Sequence, residues 1–367
     1  MPATENPPPA QLKDWFDEAR YRHLADELSG VSSSFDASTF LEMTLEGLEQ
    51  RSLMQRLHQC ALAVDAALPG EFEQKLAVLQ KLAPKVGHSF VSIFLCDFVA
   101  AFGGHDLESS MKALREFTKF GSAEFAVRRF IHDQPARALA IMRTWTGDEN
   151  EHVRRLASEG ARPRLPWGMK LGMLVKDPEP CGPLLEALKD DASEYVRKSV
   201  ANHLNDITKD HPEWVLARLE RWDLRKPHLR WIARHACRTL IKRGHPRALK
   251  LLGFGQKAEV VAELQVRPTR LKLGGRLHLE AMLEATSECA QTLAVDYVIH
   301  YVKSRGAAFE KVFKWKEIEL PGGGQARLEK SQVLRDFTTR KHHPGLHIVE
   351  LQVNGQRVAR AGFELLV

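Results

Sequence analysis

The chain has 367 residues, 44% of them hydrophobic and 27% charged, which is enough apolar material for more than one core and too much for a disordered chain. No apolar run approaches 18 residues. The start, with Pro2, Pro7, Pro8 and Pro9 among polar residues, lacks a basic stretch leading into an apolar one, so neither membrane insertion nor secretion is expected. Cys60, Cys96, Cys181, Cys237 and Cys289 are scattered and odd in number, which argues for a reducing cytoplasm and against structural zinc.

The net charge of +6 is unevenly spread. Residues 1–110 carry 8 Lys and Arg against 16 Asp and Glu, residues 111–256 carry 28 against 18, and residues 257–367 carry 17 against 13. A middle region of +10 behind an acidic start is the asymmetry of a polyanion-binding segment, although a solvated Arg-rich helical surface would look the same.

From about residue 10 to 253 the apolar spacing is helical, as in Phe40, Leu41, Leu45 and Leu48, in Leu76–Leu82 and in Val91–Phe102. Helices of 10–18 residues are expected between breaks at Pro69-Gly70, Pro84, Gly103-Gly104, Gly121, Pro135, Gly147, the prolines 163 to 166 and 178 to 183, Pro212, Pro227 and Gly244. An apolar residue followed by cations recurs in Val127-Arg128-Arg129, Val153-Arg154-Arg155, Val196-Arg197-Lys198 and Ile232-Ala233-Arg234, at separations of 26, 43 and 36 residues. These tracts read as inner helices of stacked HEAT-like pairs forming a solenoid.

Past Leu252-Gly253-Phe254-Gly255 the period becomes alternating. Val260–Val266, Leu277–Leu283, Leu293–Val302 and Gly345–Val353 read as strands, and Asn354-Gly355 as a hairpin turn into Arg357–Val367. About seven strands in some 110 residues suggest an immunoglobulin-like sandwich, with a small barrel as the alternative. The division expected is a helical domain over 1–255 and a sandwich over 256–367. The cationic loops Lys303-Ser-Arg-Gly306 and Arg340-Lys-His-His343 are its candidates for contact with a polyanion.

In the tract beginning at Glu151, Arg155, Glu159 and Arg162 share one helical side, so a carboxylate falls between two guanidinium groups. Across the repeats Glu159, Asn202 and Arg238 take matching places, as do Arg155, Lys198 and Arg234, which predicts a polar and basic line along one face. In Gly160-Ala-Arg-Pro-Arg-Leu-Pro-Trp-Gly168 the prolines fix an extended turn that offers Arg162 and Arg164 to phosphates, with the flat face of Trp167 beside them. The competing structural roles are a surface ion pair for Glu159 and a plug between helical pairs for Trp167. Glu124, behind Gly121-Ser122, would sit in a first helical turn, where a carboxylate is favoured in any case. There is no Gly-rich phosphate loop, no His-Glu-x-x-His and no Cys-x-x-Cys, and His342-His343 reads as a basic loop tip without a third metal ligand.

Residues 121–253 resemble the AlkC branch of the AlkD-like alkylpurine DNA glycosylases. The match is carried by Glu124-Phe-Ala-Val-Arg-Arg-Phe, by Ala157-Ser-Glu-Gly-Ala-Arg-Pro-Arg-Leu-Pro-Trp167, by Tyr195 to Asp206 and by Arg234 to Gly244. The resemblance implies a HEAT-like helical domain, in some members with an appended immunoglobulin-like domain. It implies Glu124 and Glu159 as acidic active-site residues and Arg155, Trp167 and Asp206 as neighbours in the same cleft. The implied activity is cofactor-free hydrolysis of the glycosidic bond of cationic bases such as N3-methyladenine and N3-methylcytosine, without full base flipping. Double-stranded DNA is the implied partner of a monomeric, cytoplasmic, nucleoid-associated enzyme. The residues alone also admit a non-catalytic helical scaffold for nucleic acid or an acidic protein.

Overall fold

The computed structural model describes residues 12–254, 257–303, 308–336 and 341–366, which divide into two compact units, Met1–Asp210 and His211–Val367. Of the polyanion-contact loops named above, residues 304–306 and Arg340 lie outside the described residues, as does Gly255 of the connection.

The described part of the first unit is helical throughout. Its α-helices are α1 (Glu18–Val31), α2 (Ala37–Leu45), α3 (Leu53–Ala67), α4 (Phe72–Val86), α5 (Ile93–Phe102), α6 (Leu107–Phe117), α7 (Val127–Asp133), α8 (Pro135–Thr144), α9 (Glu151–Glu159), α10 (Gly172–Lys176), α11 (Gly182–Leu188) and α12 (Glu194–Ile207). Starts follow cap chemistry: Asp36 accepts from the Ser38 and Thr39 amides, Asp106 from Ser109, and Asn150 from His152, each filling a donor that a helix N-terminus leaves open. Two breaks differ from the sequence reading. Gly47, at φ +62°, ends α2 after Leu45, so Leu48 sits in a separate short turn. Pro84 does not interrupt α4, which runs on to Val86, because its ring falls in the last turn. The core holds fully buried side chains that include Leu79, Phe94, Phe98, Phe117, Val153, Leu156, Val200 and Leu204.

The repeated tracts do form helices. α9 and α12 are two of them and pack on each other. The cations that open each tract are not surface decoration, however. Nη1 of Arg154 donates to the carbonyls of Asp148 (2.8 Å) and Glu149 (2.9 Å), while Nη1 of Arg197 donates to those of Asp191 (2.6 Å) and Ala192 (2.7 Å). Each clamps the turn that leads into its own helix. Asp191 joins the two clamps, since it also holds Arg154 bidentately at 2.7 and 3.0 Å.

The second unit holds α13 (Pro212–Leu219), α14 (Pro227–Ala236), α15 (Arg238–Lys242) and α16 (Pro246–Leu251), followed by eight strands. These are β1 (Val260–Arg267), β2 (Arg270–Lys272), β3 (Arg276–Ala285), β4 (Gln291–Val302), β5 (Ala308–Leu320), β6 (Gln325–Val333), β7 (Gly345–Val353) and β8 (Gln356–Leu366). They form a β-sandwich, with one sheet ordered β1-β3-β6 and the other β2-β8-β7-β4-β5. Its core takes Leu277, Leu279 and Leu283 from the smaller sheet and Leu293, Val295, Val349, Leu351 and Phe363 from the larger.

The compact units part after Asp210, so α13–α16 belong with the strands. Gln352 of β7 donates to the Lys242 carbonyl at 2.9 Å, and Lys242 reaches the Val312 carbonyl at 3.3 Å. Asn354 and Gly355 make the expected hairpin with φ of +46° and +82°. A Cβ at Gly355 would fall only 2.0 Å from the Gly244 Cα, so this turn needs glycine for closeness as well as for φ. Helical cover on the larger sheet explains why β4 is buried almost continuously from Leu293 to Ile299 and not in alternation.

Candidate active site

Three segments of the first unit meet here: the turn before α7, the second half of α9 with the loop after it, and α12. Glu124 lies in the turn, since α7 begins only at Val127, so the first-turn placement expected for it is corrected. Arg155 and Glu159 follow one another by four residues on α9, and Tyr195, Ser199 and Asp206 come from α12.

Their side chains form a chain of alternating charge. Arg155 Nη1 donates to Ser122 Oγ at 2.7 Å and Glu124 Oε2 at 3.2 Å, and its Nη2 lies 3.4 Å from Glu159 Oε1. Arg162 Nη1 donates to the same Glu159 oxygen at 2.6 Å, while Ser199 Oγ donates to Oε2 at 2.7 Å. Arg162 Nε continues to Asp206 Oδ2 at 2.9 Å, and Lys209 Nζ closes the series on Asp206 Oδ1 at 2.9 Å. Three carboxylates thus balance three cations.

Burial makes this network electrostatically strong. Glu159 is 6% exposed, and burial alone would raise its carboxyl; the Arg155 and Arg162 charges, with hydrogen bonds from Ser199 and Arg162, more than reverse this and hold it below the usual carboxylate range. Burial lowers Arg155 and Arg162, but the carboxylates beside them dominate and raise both. Tyr195 is pushed up by burial, and its ring lies under the Arg155 guanidinium at 5.0 Å. Glu159 is therefore ionised across the physiological range, and its negative charge is buried between two guanidinium groups.

Trp167 stands differently. It is 75% exposed with φ of +64°, so it does not plug the space between helices. A bulky residue in the left-handed region costs about 1 kcal/mol or more and persists only where its surroundings impose it. Trp167→Gly should therefore change stability by less than about 1 kcal/mol, relieved strain offsetting the entropy glycine loses on folding. Thermal unfolding checks this, and a loss of several kcal/mol would mean that the indole is packed.

The other residues singled out in the sequence are dispersed. Arg162 is not offered to a phosphate: it is 7% exposed and consumed between Glu159 and Asp206. Arg164 makes a bidentate pair with Asp210, both bonds at 2.8 Å, which gives it a carboxylate partner in place of a phosphate. The matched line through Arg155, Lys198 and Arg234 is not a uniform basic stripe. Arg155 is enclosed by carboxylates, Lys198 is exposed and pairs with Glu194 at 2.8 Å, and Arg234, in the second unit, meets Glu317. Asn202 is half-buried on α12, and Arg238, also in the second unit, donates to the His235 carbonyl at 2.7 Å. Ser122, Ser199 and Tyr195 join the network without having been singled out; no residue-type pattern marks a serine that will orient a carboxylate forty positions away.

Residues 113–240 match the model of the family described as DNA alkylation repair enzyme, and residues 260–367 match the C-terminal immunoglobulin-like domain of uncharacterised protein YhaZ. Over 349 residues the chain is 36% identical to uncharacterized protein YhaZ of Bacillus subtilis (strain 168), covering 95% of this chain and 97% of that one. The alkylpurine DNA glycosylase AlkC of Pseudomonas fluorescens, solved bound to DNA containing an abasic site analog, is 50% identical. It superposes with a TM-score of 0.94 over 98% of this chain and all of that one. The chain is a member of the DNA alkylation repair glycosylase family, with an immunoglobulin-like domain at its C-terminal end. Within that family it belongs to the AlkC branch.

Proposed function

We propose that this protein hydrolyses the N-glycosidic bond of cationic alkylated bases, N3-methyladenine and N3-methylcytosine among them, in double-stranded DNA, and that it does so without turning the base fully out of the stack. The observation that carries the reading is the buried series Glu124–Arg155–Glu159–Arg162–Asp206, with an exposed indole held in a strained backbone on the loop that supplies Arg162.

The chemistry follows from charge. In a cationic base the glycosidic electron pair passes to a ring that already carries positive charge, so the base leaves neutral and needs no acid. Positive charge then develops on the deoxyribose, where Glu124 and Glu159 stabilise it. Water adds at the anomeric carbon through its oxygen and releases one proton to bulk solvent, leaving an abasic sugar with the oxygen bonded where the base was. Neutral lesions would require protonation or extrusion, which costs a few kcal/mol and calls for an enclosed pocket. Trp167, Arg155 and Asp206 line the same cleft in this reading, and residues 1–255 hold the catalytic part. The protein acts as a monomer, without a cofactor, in the cytoplasm on nucleoid DNA.

The test is release of methylated bases from alkylated duplex DNA, read as free base and as abasic sites. A folded protein that binds DNA and releases none would leave a scaffold role. From the +10 balance over residues 111–256, affinity for duplex DNA should fall steeply with salt, with a log–log slope of roughly −0.9 per phosphate neutralised. Lys198→Ala should weaken binding to all sequences alike, because Lys198 is the exposed cation on α12. Anisotropy titrations at several salt concentrations check both, and a flat salt dependence would refute the phosphate-contact reading.

A further inference from the structure

Arg128 is fully buried, an unusual position for a guanidinium, and lies on α7 four residues beyond Glu124. Its sequence place matches that of Arg154 and Arg197, whose Nη1 groups clamp the turns leading into their own helices. In Arg128 the same clamp is redirected across the fold. Nη1 donates to the carbonyls of Gly160 (3.0 Å) and Arg162 (2.7 Å), and Nε donates to the Met169 carbonyl (2.6 Å). Those three carbonyls bracket the loop that carries Arg162 and Trp167. Further ties inside the loop are the Gly168 amide to the Leu165 carbonyl and the Leu171 amide to the Pro163 carbonyl, each at 3.2 Å. Gly168 packs directly on the clamp, where an added Cβ would lie 3.3 Å from Arg128 Cδ and Nε and 3.0 Å from Leu165 Cδ2.

We propose that Arg128 is a positioning residue for the base-excision site: it locks the 160–169 loop to the helix that follows Glu124, so that Trp167 is held in its left-handed conformation and Arg162 is aimed at Glu159. A guanidinium suits the task because its planar fork reaches several carbonyls from separate nitrogens, whereas a lysine offers all its donors from one. The clamp supplies the external constraint that the strained Trp167 backbone requires. The proposal rests on the glycosylase reading for its activity measurement only.

The experiment compares the full-length parent with Arg128→Met, which keeps the side-chain bulk, and with Gly168→Ala, which presses on the clamp without removing it. Tryptic cleavage after Arg164, followed by mass spectrometry under native conditions, reports the loop independently of catalysis. Cleavage should accelerate at least tenfold in Arg128→Met, and less in Gly168→Ala, while circular dichroism stays parental. Single-turnover excision should fall 10- to 100-fold in Arg128→Met with DNA affinity within threefold of the parent. In a Trp167→Ala background the same substitution should cost at least threefold less than it does in the parent, because one of the two side chains it positions is gone. Full additivity with Trp167→Ala, or parental cleavage and excision in both variants, would overturn the proposal. A parent that excises nothing would defeat the glycosylase reading and leave the cleavage comparison as the deciding measurement. Should Arg128→Met fail to fold, Gly168→Ala and its coupling to Trp167→Ala decide the matter.

Discussion

Glu159→Gln is expected to lower single-turnover excision by about 10²–10³-fold while leaving the fold and most of the DNA affinity in place. The side chain is nearly isosteric, and a carboxamide oxygen can still accept from Arg162 or from Ser199. What disappears is the negative charge that the alternation of guanidinium and carboxylate places in a buried position. The fold survives because Arg155 still faces Glu124 and Arg162 still faces Asp206, so neither guanidinium is left without a carboxylate. Breaking a buried ion pair usually costs about 3–5 kcal/mol when a lone charge remains, and the flanking carboxylates should keep the cost below that range. The variant is also informative in acid. The folded-state carboxyl lies below its unfolded value, so its contribution to stability is present above the unfolded value near 4.5 and is lost as pH falls through the lower folded one. Parent and variant should therefore differ most in stability above about pH 4.5 and converge in stronger acid. Excision from an oligonucleotide holding one methylated base decides the catalytic assignment: a parental rate in Glu159→Gln would remove Glu159 from the reaction.

Much of this arrangement was legible in the sequence, and the failures have physical causes. Helical period placed Arg155 and Glu159 on one side of α9, and the ion pair between them follows from that spacing alone. Period could not say that the side faces inward, because a polar stripe looks the same whether it meets solvent or other charges. The same spacing sets Glu159 between Arg155 and Arg162, as the structure has it, but the offer of Arg162 to a phosphate fails, because its side chain folds back between Glu159 and Asp206. Repeat alignment likewise matched Arg155 with Lys198, although the first is enclosed by Glu124 and Glu159 and the second is exposed and pairs with Glu194. The Asn354-Gly355 turn was readable because its chemistry is local. By contrast β5 and β6 were not located: in β6 polar Lys330 and Gln332 take inward positions, and in β5 the adjacent charges Glu310-Lys311 and Lys316-Glu317 break the alternation that marks a half-buried strand. Arg128 stands in one of the recurring tracts, but nothing local marks its redirected clamp, for its three carbonyl partners lie 32 to 41 residues downstream.

Stability between neutral pH and pH 5 is expected to depend on His203, a residue of α12 that never meets solvent. Burial among packed side chains, reinforced by the Arg162 charge and opposed by Glu159, pushes its imidazole down to about 3. The folded state therefore keeps His203 neutral while the unfolded chain takes up a proton near the ordinary value of about 6.5. Between those limits the unfolded state binds more protons, so stability rises with pH and is lost on acidification, by about 1.4 kcal/mol per pH unit once well below 6.5. From pH 7.5 to 5 this amounts to about 2 kcal/mol from the one side chain. Glu159 contributes little there, because its carboxyl is held below the usual carboxylate range. His203→Gln removes the titration and keeps a polar side chain of similar size, so its unfolding free energy should vary less over that window by about the same amount, whatever its absolute value. Denaturant unfolding of parent and variant at pH 7.5 and 5 measures this directly. Equal losses in both proteins would mean that the buried imidazole accepts its proton without opening the fold. Fully buried and neutral, His203 also cannot hand a proton to a departing base, which agrees with a reaction whose leaving group carries its own positive charge.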